Sequence, residues 1–194
     1  MTRSRQTADW GSRAGLAKIV PSSVAVGSGT GSASALGTVT FSGASTVSLN
    51  SVFSSTYDNY RILVDITDCT ADAEVTFRLR SGSTDASGGS YQLRGVHGAG
   101  SQIFDAQTSF RYFTELDAQA SFHYYSSSVD LKYPFKVEFS GIAFQSYSVT
   151  GSTSSPYAAQ MVGTHTLETS YDGFSIISSA GNMTGTILVY GYTI

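Results

Sequence analysis

The residues of this 194-residue chain that could carry out catalysis are three histidines and a small group of carboxylates. His97, His123 and His165 lie far apart, and no two of them have the spacing that places both imidazoles on one face of a strand or a helix. A zinc site needs several such ligands in one place. We therefore expect no metal site and no catalytic histidine.

The carboxylates gather around one predicted connection between two strands, at Asp65, Asp68, Asp72 and Glu74. A glycosidase needs two carboxyl groups that face each other across a cleft, whereas strand alternation and turn chemistry account for these four without catalysis. The chain also lacks a nucleophile elbow and a phosphate-binding loop, and the glycine-rich run at 27–31 has no strand and helix around it. The sequence therefore predicts no enzyme and no cofactor.

Aromatic residues offer a different chemistry, which is contact with a sugar or another surface. Consecutive residues of a strand point to opposite faces, so one of Tyr124 and Tyr125 is expected to be exposed. A tyrosine that packs over the edge of the core with its hydroxyl in water would explain the same pattern. The candidate surface-contact residues are Tyr91, His123, Tyr124 and Tyr125.

The run from Val129 to Phe144 is the clearest strand pattern in the chain. Apolar residues alternate with polar ones from Val129 to Phe139, which a strand with one buried face requires and a helix does not. Pro134 lacks an N–H group, so we expect an edge strand or a kink there, and Ser140-Gly141 indicates a turn or bulge. This strand needs a second apolar surface to cover it.

Composition indicates the class of fold. Hydrophobic residues make up 41% of the chain and charged residues 13%, about half of the roughly 25% found in ordinary soluble domains. Short alternating runs separated by Gly, Ser and Thr predict an all-β fold, an antiparallel two-sheet sandwich of jelly-roll-like type that follows an extended N-terminal arm. The predicted core contains Val64, Phe77, Leu131, Phe135, Val137, Ile176 and Val189.

The chain divides into three predicted parts. Residues 1–21 form a docking arm, residues 22–36 a flexible Gly/Ser linker, and residues 37–194 the β-sandwich domain. So short an arm cannot bury its own apolar side chains, and we expect them to dock on another chain unless the terminus is simply disordered. The predicted docking residues are Trp10, Leu16, Ile19 and Val20.

Charge and cysteine content limit the partners. The first twenty residues carry a net charge of +3, which leaves −6 for the rest of the chain, so the acidic body would repel phosphate and we expect no nucleic acid. The single Cys69 excludes an internal disulfide. No apolar segment of signal-peptide type follows the charged start, and no run approaches the length of a membrane span. We expect synthesis in the cytoplasm, no signal peptide and no membrane insertion.

Several segments of the chain resemble small virion proteins of tailed bacteriophages. They are VTFSGASTVSLNSVFSSTYDNYRI within Lys18–Ile66, the later YDGFSI, and the closing GTILVYGY. Together they cover most of the body and both ends, and they contain no catalytic residue. The resemblance implies a non-enzymatic β-sandwich subunit located in the virion, carried as a fibre, tail or baseplate appendage or as a head decoration.

The resemblance also implies that the partners are other virion proteins, reached through the N-terminal arm, and that the projecting domain could contact a host-surface glycan. One short arm would bind weakly because ordering it costs free energy, so we expect a homotrimer whose linked arms gain avidity. The alternative is a free carbohydrate-binding module or a glycan hydrolase. Size in solution separates the two, because a free module would remain monomeric.

Overall fold

The computed structural model describes residues 15–97, 100–116, 123–150 and 156–193. Trp10 of the predicted arm lies outside these residues. The described ranges contain no helix, and so no helix that could cross a membrane. Every strand pairing in these ranges is antiparallel, and the strands form two sheets that pack against each other. The all-β sandwich predicted from the alternating runs is confirmed.

Sixteen strands are present in the described residues, ten in one sheet and six in the other. Most of them are joined by short turns, as the many Gly and Ser residues indicate. In chain order they are β1 (Ala17–Lys18), β2 (Ser23–Val26), β3 (Thr30–Ala33), β4 (Val39–Ala44), β5 (Thr46–Asn50), β6 (Asn59–Cys69), β7 (Ala73–Ser81), β8 (Thr84–Asp85), β9 (Tyr91–His97), β10 (Gly100–Gln107), β11 (Phe110–Leu116), β12 (His123–Lys132), β13 (Ser140–Thr150), β14 (Pro156–His165), β15 (Gly173–Ser178) and β16 (Met183–Tyr192).

The larger sheet has the strand order β10–β9–β14–β13–β12–β6–β16–β4–β3, and β1 also pairs with β16. The smaller sheet has the order β11–β7–β15–β5–β2, and β8 pairs with β7. The two inner faces enclose one core, and buried positions alternate with more exposed ones along strands such as β16. Five of the predicted core residues are buried as expected: Val64, Phe77, Leu131, Ile176 and Val189.

The segment after β12 is a loop and not the continuous strand that its alternation predicts. Tyr133 has a positive φ of 58°, and its N–H group donates to the Asp58 carbonyl at 2.7 Å. Pro134 has no N–H group with which to extend the ladder, so the chain turns and β13 runs back along β12. The predicted core position of Val137 is therefore wrong, because Val137 is 73% exposed, whereas Phe135 is partly buried and packs against the core.

Residues 22–36 belong to the sandwich and do not form the predicted linker. β2 pairs with β5 in the smaller sheet and β3 pairs with β4 in the larger one, so these two strands close one side of the sandwich. Gly29 permits the turn between them, since its φ is 67° and a Cβ atom there would lie 2.0 Å from the Ser42 carbonyl oxygen. The predicted domain boundary at residue 37 is wrong, and the sandwich already includes β1.

At the opposite side the larger sheet ends at β10 and the smaller sheet at β11, which follow each other in the chain. The chain thus passes from one sheet to the other through consecutive strands on both sides. The surfaces left for partners are the outer faces of the two sheets and the connections at the two ends of the strands.

Candidate functional site

The described part of the predicted docking arm lies along the edge of β16. β1 pairs with Tyr190 and Gly191, and the Ile19 N–H group donates to the Val189 carbonyl at 2.8 Å. Ile19 is partly buried and packs against the core of its own domain, so that part of its apolar surface is already covered, and its role in docking on another chain stays a prediction. Leu16 and Val20, in contrast, are each about half exposed and remain available to a partner.

A further aliphatic side chain extends the exposed surface beside Val20. Leu36 lies in the turn between β3 and β4 and is largely exposed. The following residue, Gly37, has a φ of 75° and approaches the arm so closely that a Cβ atom there would lie 2.5 Å from the Ile19 carbonyl oxygen. Leu36 was not predicted as a contact residue, because the sequence around it reads as a linker.

Three connections meet at one end of the sandwich, and we call residues 51–58, 133–139 and 166–172 the loop end. They lead from β5 to β6, from β12 to β13 and from β14 to β15. The ends of β6, β12, β13 and β14 at which they attach lie together in the larger sheet. Besides the bond between Tyr133 and Asp58, the Tyr171 N–H group donates to the Pro134 carbonyl at 2.7 Å. These main-chain hydrogen bonds tie the connections to one another.

The loop end presents apolar side chains to solvent. Val137, Phe139 and Leu167 are all exposed, and Tyr133 is exposed in part. The Lys136 ammonium group lies 4.3 Å from the centre of the Tyr133 ring and forms an ion pair with Asp58 at 3.0 Å. Large exposed apolar side chains that cluster in this way indicate a surface that contacts another molecule.

Leu16 lies at the same end of the sandwich as these loops. It precedes Ala17, which pairs with Gly191, and Gly191 in turn pairs with Tyr60 near the start of β6. Leu16, close to the start of the described residues, therefore lies next to the loop end. The sequence could not indicate this, because it places Leu16 and Phe139 more than a hundred positions apart.

Two of the four predicted surface-contact residues are buried. Tyr91 has no exposed surface, and its hydroxyl donates to the Ala86 carbonyl at 2.8 Å and accepts from the Leu79 N–H group at 3.0 Å. Burial raises the pKa of this hydroxyl. Tyr125 is also buried, so neither ring can contact a ligand. His123 and Tyr124 begin β12, and their side chains lie outside what the structure describes.

The described histidines are separated rather than gathered into a site. Tyr91 pairs with His165 at one end of β9, and His97 is the last residue of that strand, about 20 Å away at the usual rise per residue. His165 is buried between the Tyr91 and Tyr171 rings, whose centres lie 4.4 and 5.1 Å from its own. Burial lowers the pKa of His165 to about 4, so the imidazole is neutral at physiological pH.

The environment of His165 shows why it is a poor candidate for catalysis. Its Nδ1 atom lies 3.3 Å from the Tyr171 hydroxyl, and its Nε2 atom has no hydrogen-bond partner among the described residues. The Ser140 hydroxyl, on the residue paired with His165 across the sheet, is buried and likewise without a described partner. A substrate could not reach either group without opening the core.

The predicted carboxylate group is spread along a connection and is partly neutralised. Glu74 accepts two hydrogen bonds from the Arg111 guanidinium, at 3.0 and 2.6 Å. The described residues contain no group of three or more side chains that could hold a metal ion together. Alternation along β6 and β7 accounts for the positions of Asp65 and Glu74, and Asp68 lies where the register of β6 against β16 shifts.

The most connected polar cluster is buried on the outer face of the smaller sheet. The Arg80 guanidinium forms an ion pair with Asp85 and donates to the hydroxyls of Ser48 and Ser175 at 3.1 and 2.9 Å. The Ser175 hydroxyl also donates to Asp85 at 2.8 Å. Both serines are buried beneath the connection between β7 and β9, so the cluster holds that connection on the sheet and is closed to a substrate.

No protein-family model matches this chain, and neither a curated protein nor a solved structure was found to be similar to it. The geometry of the described residues and the patterns in the sequence are therefore the observations that bear on function. Among the exposed surfaces of the described residues, the loop end combines several large apolar side chains with connections that hydrogen-bond to one another.

Proposed function

We propose that this chain is a non-enzymatic structural protein of a bacteriophage virion. Its N-terminal residues and its loop end attach it to other virion proteins, and the sandwich projects outward as a fibre, tail or baseplate appendage or as a head decoration. The proposal rests on the resemblance of several segments to virion proteins of tailed phages, together with the position of the exposed apolar side chains.

The observation that carries the attachment surface is that Leu16 and the apolar loops share one end of the domain. A chain segment and a rigid surface at the same end can contact one partner simultaneously, so their contributions add within one complex. Burial of an aliphatic or aromatic side chain contributes roughly 1.5–3 kcal/mol before ordering costs. Val137, Phe139 and Leu16 would thus supply binding that a short arm lacks by itself.

The proposed assembly is a homotrimer. Ordering the arm opposes binding by about 1–2 kcal/mol for each residue whose backbone becomes fixed. Three linked subunits would bring three attachment ends to one position on the particle, which raises the effective concentration of each end. Sedimentation velocity of the purified full chain measures this state directly.

A free carbohydrate-binding module or glycan hydrolase is the competing function. Such a protein has no need of an attachment end and would be monomeric and absent from purified particles. The same sedimentation measurement, combined with mass spectrometry of particles from the phage that encodes the chain, separates the two functions.

The test replaces the gene in that phage with variants and measures the copies of the chain per particle. One variant lacks residues 1–14 but keeps β1, because removing Ala17–Lys18 as well would take a strand from the sheet. The second combines Val137→Ser with Phe139→Ser. We expect both variants to remain folded and to lower occupancy by about tenfold or more, since the first loses the predicted docking residue Trp10 and the second loses two exposed apolar side chains of the loop end.

Ile103→Ser is the matched control, because Ile103 is an equally exposed apolar residue on β10 in the larger sheet, away from the loop end. It should leave occupancy unchanged. Normal occupancy for both the truncated chain and the loop-end double variant would disprove attachment through this end. Complete absence of the unmodified chain from particles would disprove the virion role itself.

A further inference from the structure

The outer face of the larger sheet carries a shallow trough that crosses several strands. Two adjacent hollows of about 350 and 320 Å³ share Val162 in their linings. The first lies over β6, β12, β13 and β14, and the second lies over β14 and β9. Each volume falls within the roughly 300–1,000 Å³ of small-molecule sites.

The trough exists because short side chains lie between long ones. Ser128 and Ala143 are neighbours of Asp130 and Gln145 on β12 and β13, and they form the floor of the first hollow. The long side chains of Arg61, Gln145 and Gln160 rise around that floor. The hollow is therefore built by side-chain size on a continuous sheet and does not depend on a loop conformation.

The length of the trough follows from the sheet geometry. From β9 through β14, β13 and β12 to β6 there are five neighbouring strands. At about 4.8 Å per strand spacing the trough is about 19 Å long, which has room for roughly three or four sugar rings. A single small metabolite would leave most of this length empty.

Each guanidinium group that lines the trough is paired with a carboxylate, although one of these carboxylates lies outside the lining. Arg61 forms two hydrogen bonds with Asp130, at 2.9 and 2.8 Å, and Arg94 forms an ion pair with Asp105 at 2.8 Å. The remaining polar lining consists mainly of amides and hydroxyls, such as those of Gln145 and Gln160. Both guanidinium groups are thus neutralised before any ligand arrives, which disfavours a phosphate backbone as the ligand.

From these observations we infer that the trough binds a neutral, extended glycan. An amide side chain, or a guanidinium beside a carboxylate, presents a hydrogen-bond donor next to an acceptor. Two neighbouring hydroxyl groups of a sugar can bind to such a pair, because each hydroxyl both donates and accepts. A peptide that binds by strand addition needs a free sheet edge, whereas the trough lies on a sheet face between fully paired strands. Because both guanidinium groups are already paired, the lining favours uncharged sugars over acidic ones.

Tyr147 supplies an aromatic surface beside the trough. It lies two residues beyond Gln145 on β13, on the same face of the sheet, and its ring is exposed. Its partner across the sheet is Ala158, which is small and exposed, so the ring is not covered from that side. A tyrosine offers an apolar ring face for the C–H side of a sugar and a hydroxyl for its edge.

This inference deepens the proposed function, because it names a ligand class for the projecting sandwich, but its test does not involve particles. The purified full chain is titrated with neutral tetrasaccharides of glucose, mannose, galactose and xylose and, as a charged comparison, with oligogalacturonate. Binding is followed by isothermal titration calorimetry and by NMR shifts. Glycan binding and particle incorporation are measured separately, so either can fail without the other.

Two variants change the trough without touching the core. Ala143→Phe fills the hollow, and Gln160→Ala removes an amide; both positions are exposed on the outer face. Thr40→Phe is the matched control, since Thr40 is a small exposed residue on β4 of the same sheet, outside the trough. Unchanged melting temperatures establish that each variant is folded.

We expect at least one neutral tetrasaccharide to bind the unmodified chain, and Ala143→Phe and Gln160→Ala to weaken that binding by about tenfold or more. Thr40→Phe should bind as the unmodified chain does. The inference is overturned if no neutral probe binds at about 10 mM, if oligogalacturonate binds more tightly than all neutral probes, or if Ala143→Phe leaves binding intact. It is also overturned if the unmodified chain self-associates through this face and Ala143→Phe makes it monomeric.

Discussion

The two sheets of this sandwich each carry an arginine–aspartate pair on the outer face, and the two pairs differ in what covers them. Arg80 and Asp85 lie beneath the connection between β7 and β9, with side chains 9% and 21% exposed. Arg61 and Asp130 lie on the open face of the larger sheet, with side chains 43% and 35% exposed. The chemical groups are the same, but only the second pair can meet a ligand.

The two ion pairs differ in solvation and therefore in what they contribute to folding. A covered ion pair has lost its water and must be satisfied by the protein, as Arg80 is by two serine hydroxyls and the Ser83 carbonyl. An open pair keeps its water and contributes little to folding. The outer face of the smaller sheet is therefore used to hold a connection in place, whereas that of the larger sheet stays available for binding.

The largest effect should come from breaking the covered pair. Arg80→Met leaves Asp85 beside two hydroxyls without its countercharge, and we expect a loss of about 3–5 kcal/mol in the free energy of unfolding. Arg61→Met, the matched change on the open face, should cost no more than about 1 kcal/mol. Urea denaturation followed by circular dichroism measures both. Equal losses for the two variants would contradict the comparison.

A second large effect concerns His165, which is buried like Arg80 but has one ring nitrogen, Nε2, without a hydrogen-bond partner among the described residues. Its pKa is about 4 in the folded chain because burial disfavours the imidazolium, whereas the unfolded chain titrates near 6.5. The unfolded state therefore binds more protons between these values. Stability should fall as the pH is lowered from about 6.5 to about 4, by roughly 3 kcal/mol in total.

His165→Phe is the control for this pH dependence, because it keeps an aromatic ring between Tyr91 and Tyr171 but cannot be protonated. The difference in unfolding free energy between the variant and the unmodified chain, measured at pH 7 and at pH 4.5, isolates the histidine from the carboxylates that also titrate in acid. If both proteins lost the same stability over this range, the burial argument for His165 would be wrong.

The smallest of the three effects separates covered from open serines. Ser175→Ala removes a hydroxyl that donates to Asp85 and accepts from Arg80, and we expect a loss of about 1–3 kcal/mol because a buried charged group loses a partner. Ser128→Ala, on the floor of the open trough, should change stability by less than about 0.5 kcal/mol. The melting temperatures of the two variants, each measured against the unmodified chain, compare these losses. A larger loss of stability for Ser128→Ala than for Ser175→Ala would contradict the expected order.

The alternating pattern of the sequence was sufficient to predict the class of fold. Alternation with a period of two identifies which residues share one face of a strand, and it placed Val64, Leu131 and Val189 correctly in the core. Low charge and frequent Gly, Ser and Thr turns predicted an antiparallel sandwich.

Which faces and segments are covered depends on the packing of the two sheets and could not be predicted from the sequence. Alternation does not say whether a face meets another sheet or water, so Tyr91 and Tyr125 could not be recognised as buried, nor Val137 as exposed. Glycine-rich composition is the same in a flexible linker and in a tightly packed corner such as 22–36, and the distinction depends on pairing with β4 and β5. The trough and the loop end arise from strand order, which brings distant residues together, and such long-range register leaves no local signal in the sequence.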